Sequence, residues 1–140
     1  MSTRILVIND TQDILEMFRL ILEDAGYEAI LSSFPFQKVS EIEQIKPDLI
    51  ILDFVFGDQK TGWQMLQLLK MQRSTASIPV IICTAAIQAM REVEGSLVAK
   101  GVLVVYKPFD LDELLTTISQ LLQTHKNVLS QFEDETNKKD

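Results

Sequence analysis

The sequence has 140 residues, of which 46% are hydrophobic and 24% are charged, and its formal net charge is −7 at pH 7. This composition is typical of one globular domain, and the negative charge disfavours nucleic acid as a partner because phosphates would repel it. No apolar segment approaches membrane-spanning length, and no signal peptide is expected. The single cysteine, Cys83, cannot form an intrachain disulfide. We therefore expect a cytoplasmic protein that binds neither nucleic acid nor a membrane.

Five short apolar runs have the composition of strands buried in a parallel sheet, and each is bounded by glycine, proline or polar residues. They are Arg4–Ile8, Tyr27–Leu31, Leu49–Asp53, Ile78–Cys83 and Val102–Tyr106. The third run is apolar without a break from Leu49 to Leu52 and ends on the carboxylate of Asp53. Because ligands bind at the carboxyl ends of strands in open α/β sheets, we expect the functional site there.

Segments with helical spacing of apolar residues alternate with these strands. The first predicted helix begins after the cap residue Thr11 and ends at Gly26, and the second covers about Phe36–Ile45. The third begins at Gly62, the fourth covers Ala85–Lys100, and the fifth begins after Asp110. Strand–helix alternation over short connections predicts an α/β fold, a three-layer sandwich with five helices on the two faces of a five-stranded parallel sheet. The flavodoxin-like strand order for such a sheet is 2-1-3-4-5.

Polar residues occur where four of the predicted strands end, namely Asn9, Asp10, Asp53, Thr84 and Lys107. In the order 2-1-3-4-5 the first and third strands are neighbours, about 4.8 Å apart, so Asp10 and Asp53 can share one cation. Mg²⁺ prefers such oxygen ligands, and a lysine ammonium and a threonine hydroxyl are suitable donors to phosphoryl oxygens. The pattern indicates a divalent-cation site beside a phosphoryl site.

These motifs resemble the receiver domain of bacterial two-component response regulators, over roughly Thr3 to Leu122. The matching segments are Asn9–Asp10, Leu52–Asp53, Cys83–Thr84–Ala85 and Lys107–Pro108–Phe109. The resemblance implies that Asp53 accepts a phosphoryl group from a sensor histidine kinase or a phosphotransfer protein. It also implies that Mg²⁺ is held by Asp10, Asp53, the backbone carbonyl of Val55 and, through a water, Asn9. Lys107 would pair with the phosphoryl group, and Thr84 would move to hydrogen-bond it.

The sequence departs from the family pattern near the site. Asn9 stands where the family usually has an acidic residue, and Val104 stands where an aromatic residue is frequent, three residues before Lys107. Val55 and Ala86, two residues past Asp53 and Thr84, cannot orient an attacking water. We therefore predict slow self-dephosphorylation.

The expected organisation is a receiver domain over residues 1–123 and a segment over residues 124–140 that is a helical extension or a disordered tail. Val128, Leu129 and Phe132 continue the apolar register of the last helix, which leaves a homodimer open as one use of this segment. No second domain is expected, so the output would be binding of another, unidentified protein, and the chain would be no enzyme beyond assisting its own phosphorylation.

Two alternatives stay open. The first is a pseudo-receiver that keeps the fold without being phosphorylated, which Asn9 favours. The second is a flavodoxin-like nucleotide-binding protein, which the absence of a glycine-rich loop after the first strand disfavours.

Overall fold

The computed structural model describes residues 3–9, 11–33, 39–53, 59–84, 91, 94–107 and 110–137, and within these it leaves the side chains of residues 53, 59–63 and 125–137 undescribed. The strands are β1 (Arg4–Ile8), β2 (Glu28–Ser32), β3 (Leu49–Asp53), β4 (Val80–Thr84) and β5 (Val102–Tyr106). They form one sheet in the order β2-β1-β3-β4-β5, and every pairing is parallel. The predicted topology is confirmed.

Six helices lie within the described residues, one more than the five predicted. They are α1 (Gln12–Asp24), α2 (Val39–Ile45), α3 (Gln59–Met71), α4 (Arg73–Ala76), α5 (Glu94–Ala99) and α6 (Leu111–Asn137). Helix α4 was not predicted because four residues are too few to show a helical period. Helix α3 begins three residues before the predicted start at Gly62, and the predicted helix over Ala85–Lys100 is described only at Arg91 and in α5.

The ends of α1 show how local sequence sets helix boundaries. Thr11 occupies the N-cap position, as predicted, but its side chain makes no capping hydrogen bond. At the other end, Ala25 is the C-cap and Gly26 follows with a φ of 91°, in the left-handed region. Glycine adopts this conformation without the penalty that a Cβ atom imposes, so it allows the chain to turn directly into β2.

The sheet separates two apolar clusters, because successive side chains of a strand point to opposite faces. On one face Leu6, Ile50 and Ile82 pack with residues of α2, α3 and α5. On the other face Ile51 and Ile81 pack with residues of α1 and α6. The six side chains that anchor these helices are fully or almost fully buried: Ile42, Leu69, Leu97, Phe18, Leu114 and Ile118.

Helix α6 is the longest element, with 27 residues. Leu114 and Ile118 are completely buried against the sheet, and Leu121 is nearly so. In the described ranges, no helix has both the length and the apolar character that crossing a membrane requires.

Candidate functional site

The carboxyl ends of three neighbouring strands meet around Asp53. Ile8 of β1 pairs with Leu52 of β3, so Asn9 and Asp53 come next on adjacent strands. On the other side, Asp53 pairs with Cys83 of β4. Adjacent strands are about 4.8 Å apart, which places Asp53 in the middle of this rim. The structure thus brings the ends of β1, β3 and β4 together as the sequence predicted.

Asn9 is a buried part of the rim, with only 2% of its surface exposed. Its backbone N–H donates to the carbonyl oxygen of Ser32 at 3.1 Å and so extends the pairing of β1 with β2. Its side-chain Oδ1 accepts the backbone N–H of Thr11 at 2.7 Å. Asn9 therefore accepts the N–H of the N-cap residue itself, which is a different bond from the one that the Thr11 side chain was predicted to make with the first turn of α1.

Thr84 and Lys107 lie at the ends of β4 and β5. Thr84 pairs in register with Tyr106, and its carbonyl oxygen accepts the backbone N–H of Lys107 at 2.8 Å. Thr84 is 2% exposed, whereas Lys107 is half-buried. The hydroxyl-bearing residue is thus held at the rim within the sheet, with the lysine attached to it through the backbone.

The other predicted ligands are described incompletely or not at all. Asp10 and Val55 lie outside the described residues, and for Asp53 the structure describes the backbone as the last residue of β3. Among the side chains that are described, no three histidine, cysteine, aspartate or glutamate residues form a cluster that could hold a metal ion. The proposed donors (two carboxylates and one carbonyl) are all hard oxygen ligands, so their chemistry fits Mg²⁺.

Tyr106 makes a contact that the sequence did not reveal. Its hydroxyl donates to Glu94 Oε2 of α5 at 3.1 Å. Burial raises the pKa of the Tyr106 phenol, the hydrogen bond and the charge of Glu94 raise this pKa further, and Arg91 opposes the shift by lowering it. The two residues are twelve positions apart in different elements, so no local pattern could indicate the contact. Val104 and Tyr106 both pack against the same face of the core, as strand alternation requires.

Comparison with known proteins shows a consistent pattern. The phosphate regulon transcriptional regulatory protein PhoB of Klebsiella pneumoniae is 32% identical over 123 residues, which cover 88% of this chain and 53% of that protein. The DNA-binding dual master transcriptional regulator RpaA of Synechocystis is 32% identical over 120 residues, covering 86% of this chain and 49% of that protein. This chain therefore spans about half the length of these curated relatives.

A solved structure supports the fold. The chemotaxis protein CheY4 of Vibrio cholerae superposes with a TM-score of 0.72, covering 86% of this chain and 99% of that chain, at 24% identity. The family model described as the response regulator receiver domain matches residues 5–119, which include all four of the polar strand-end motifs. By this match and by its relatives, the chain belongs to the response regulator receiver domain family.

Proposed function

We propose that the protein is a phosphoaspartate-accepting receiver in a two-component phosphorelay, with Asp53 as the acceptor. Receiver domains are generally signalling modules that interact with histidine kinases or phosphotransfer proteins. The single observation that supports Asp53 is its place at the end of the central strand, between the ends of β1 and β4. No other carboxylate ends a strand among the described residues.

The reaction is the transfer of a phosphoryl group. A carboxylate oxygen of Asp53 forms a bond to phosphorus, and the bond between phosphorus and a histidine nitrogen of the kinase breaks. Lys107 neutralises part of the charge on the phosphoryl oxygens, and the buried Thr84 donates its hydroxyl to one of them. Since such transfer depends mainly on positioning and charge neutralisation, fixed strand ends supply much of what it requires.

The proposed metal ligands are Asp10, Asp53 and the carbonyl of Val55. When bound there, Mg²⁺ would neutralise charge on the carboxylates and on the phosphoryl oxygens. Asn9 would contact the metal only through a water. Because Asn9 brings no charge, we expect weaker Mg²⁺ binding than with an acidic residue at this position.

Incubation with acetyl phosphate and Mg²⁺ tests the proposal. Acetyl phosphate loses its phosphoryl group to Asp53 and releases acetate, so intact mass should rise by about 80 Da. The Asp53→Asn variant should show no increase. Asp24→Asn, which alters an exposed carboxylate at the far end of α1, should be phosphorylated like the wild type.

The same experiment separates the alternatives. Trp63 is the single tryptophan of the sequence and lies ten residues after Asp53, so its fluorescence can report Mg²⁺ binding. If neither the wild type nor Asp24→Asn gains mass, although Mg²⁺ changes the Trp63 fluorescence and the fold is intact, the protein is a pseudo-receiver. If Asp53→Asn gains the same mass as the wild type, Asp53 is not the acceptor. A bound nucleotide or flavin after purification would support the flavodoxin-like alternative instead.

The consequence of phosphorylation would be a change in partner binding. A phosphoryl group adds negative charge and acceptor oxygens beside Thr84, and this residue is paired with Tyr106, which bonds to Glu94 of α5. A histidine kinase or phosphotransfer protein would supply the phosphoryl group, and the output partner would bind the surface that changes. We place both encounters in the cytoplasm, with no role for nucleic acid or a membrane.

A further inference from the structure

A cavity lies at the amino-terminal end of β5, whereas Asp53 lies at the carboxyl-terminal end of β3. The cavity has a volume of about 660 Å³, within the range of pockets that hold small ligands. It lies between the second half of α3, the end of α5 and the first residue of β5. Its walls are largely apolar, with Leu66, Met71, Leu97 and Val102 among the lining residues.

Two lysines, Lys70 and Lys100, also line this cavity, and none of its described lining residues is acidic. The whole chain has 20 acidic and 13 basic residues, so a site with two lysines and no carboxylate differs in charge from the average surface. An anion entering here would therefore meet an electrostatic environment opposite to that of the protein as a whole.

Lys70 is held in place by the protein. Its Nζ donates to the carbonyl oxygens of Ala76 at 3.0 Å and Ile78 at 3.1 Å, which uses two of its three N–H donors. Within the described part of the chain, no carboxylate lies within 4.0 Å of this ammonium. Burial lowers the pKa of Lys70, as expected for a cation without a counter-ion.

Partly buried charges are normally paired, because leaving water without a partner is costly. From this cavity we infer a binding site for a small amphiphilic carboxylate, whose apolar chain contacts Leu66, Leu97 and Val102 and whose carboxylate pairs with Lys70 and Lys100. The carboxylate supplies the counter-charge that the described protein groups do not. The chain fills the apolar part of the cavity, which favours a ligand with several methylene groups over acetate.

Calorimetric titration with acetate, hexanoate, octanoate and decanoate tests this inference. Affinity should rise by about fourfold for each methylene group that enters the cavity, and then level off when the cavity is full. Octanol and octylammonium, which have the same chain length as octanoate without the negative charge, should bind more weakly. NMR signals of Leu66, Leu97 and Val102 should move during the octanoate titration.

Lysine variants test the charge requirement. Lys100→Met and Lys70→Met should each weaken octanoate binding by about tenfold, and Lys70→Arg should retain most of it. Lys46→Met, which removes a lysine outside this cavity, is the matched control and should bind like the wild type. Lys70→Met also loses the two hydrogen bonds to Ala76 and Ile78. If Lys70→Met is unstable for this reason, the affinity of Lys100→Met alone decides the charge requirement.

Three results would overturn the inference. These are equal affinity for octanol and octanoate, unchanged affinity in Lys100→Met, and octanoate-induced NMR shifts located outside the cavity. Phosphorylation of Asp53 plays no part in this test, so the outcome is independent of the proposed receiver function.

Discussion

Tyr106 and Glu94 connect the last strand of the sheet to helix α5 by a hydrogen bond of 3.1 Å between the phenol hydroxyl and Oε2. Tyr106 is also the register partner of Thr84. The bond therefore ties the strand end that bears the proposed phosphoryl contact to a surface helix. Val104, at the family's usual aromatic position, has no polar group with which to make such a connection.

We predict that Tyr106→Phe lowers the free energy of unfolding by about 1 kcal/mol, because a hydrogen bond to a carboxylate is lost at a half-buried position. Tyr27→Phe is the matched control, since the Tyr27 hydroxyl makes no hydrogen bond to another described residue. Urea unfolding near pH 7 measures both variants. An equal effect in the two would show that the Glu94 bond contributes nothing to stability.

The hydrogen bond between Tyr106 and Glu94 should also make the stability of the protein depend on pH in the alkaline range. Burial and Glu94 raise the pKa of Tyr106 above its ordinary value of 10.0, so the protonated phenol is favoured in the folded state. Its contribution is complete below about pH 10 and is lost as the pH rises through the folded-state pKa. The stability difference between the wild type and Tyr106→Phe should therefore shrink as the pH rises above about 10. A difference that grew with pH would contradict this assignment.

Two substitutions of Asn9 should both destabilise the metal-free protein but should differ in how they respond to Mg²⁺. Asn9→Ala removes the acceptor of the Thr11 N–H and should cost about 1 kcal/mol of stability, with or without Mg²⁺. Asn9→Asp keeps an acceptor oxygen but adds a charge to a buried rim, so it should destabilise the metal-free protein and bind Mg²⁺ more tightly than the wild type. Thermal unfolding in EDTA and in Mg²⁺ measures both changes. Equal Mg²⁺ stabilisation of wild type and Asn9→Asp would exclude Asn9 from the metal's surroundings.

Substitution of Thr75, which lies away from the proposed phosphorylation site, should lower the free energy of unfolding. Its side chain is fully buried, and its Oγ1 donates to the Leu69 carbonyl at 2.7 Å, which fastens α4 to α3. Thr75→Val should cost about 1–2 kcal/mol because it removes this buried bond while keeping the shape. Thr117→Val removes an exposed hydroxyl bond to Glu113 and should stay within about 0.5 kcal/mol of the wild type. Chemical denaturation of both variants provides the comparison.

We predict a long lifetime for the phosphorylated state because two residues near Asp53 and Thr84 in the sequence are apolar. Val55 and Ala86 cannot orient a water for attack on the phosphoryl group, so phospho-Asp53 should persist well beyond a minute in Mg²⁺ buffer. Val55→Asn should shorten this lifetime by supplying a polar group near the acceptor. Intact mass spectrometry after removal of acetyl phosphate gives both decay rates. Loss of the group within seconds in the wild type would refute the prediction.

Much of the fold could be predicted because the strand signals are strong and local. The predicted bounds of β1, β3 and β5 match the structure, since their apolar runs end at polar or glycine residues. The predicted β4 began two residues early. Ile78 belongs to a turn instead, with its N–H bonded to the carbonyl of Thr75, and Pro79 has no N–H to contribute to the sheet.

The details that the sequence did not predict depend on contacts between distant residues. The side chain of Thr11 looked like the natural cap of α1, yet it makes no capping hydrogen bond, and Asn9 instead accepts the backbone N–H of Thr11 itself. No sequence pattern predicted the hydrogen bonds of Lys70, because its acceptors, the carbonyls of Ala76 and Ile78, reach it only when the chain turns back after α3. Asp10 and Val55 lie outside the described residues, so their assignment as metal ligands stays a prediction.

The length of α6 gives it a mechanical property. At 1.5 Å per residue its 27 residues extend for about 40 Å, and nineteen of them follow the buried anchor Ile118. A rotation of roughly 10° about that anchor would move Asn137 by about 5 Å. The displacement that a given rotation produces therefore grows along α6, and it is largest at the end of the helix that is farthest from the sheet.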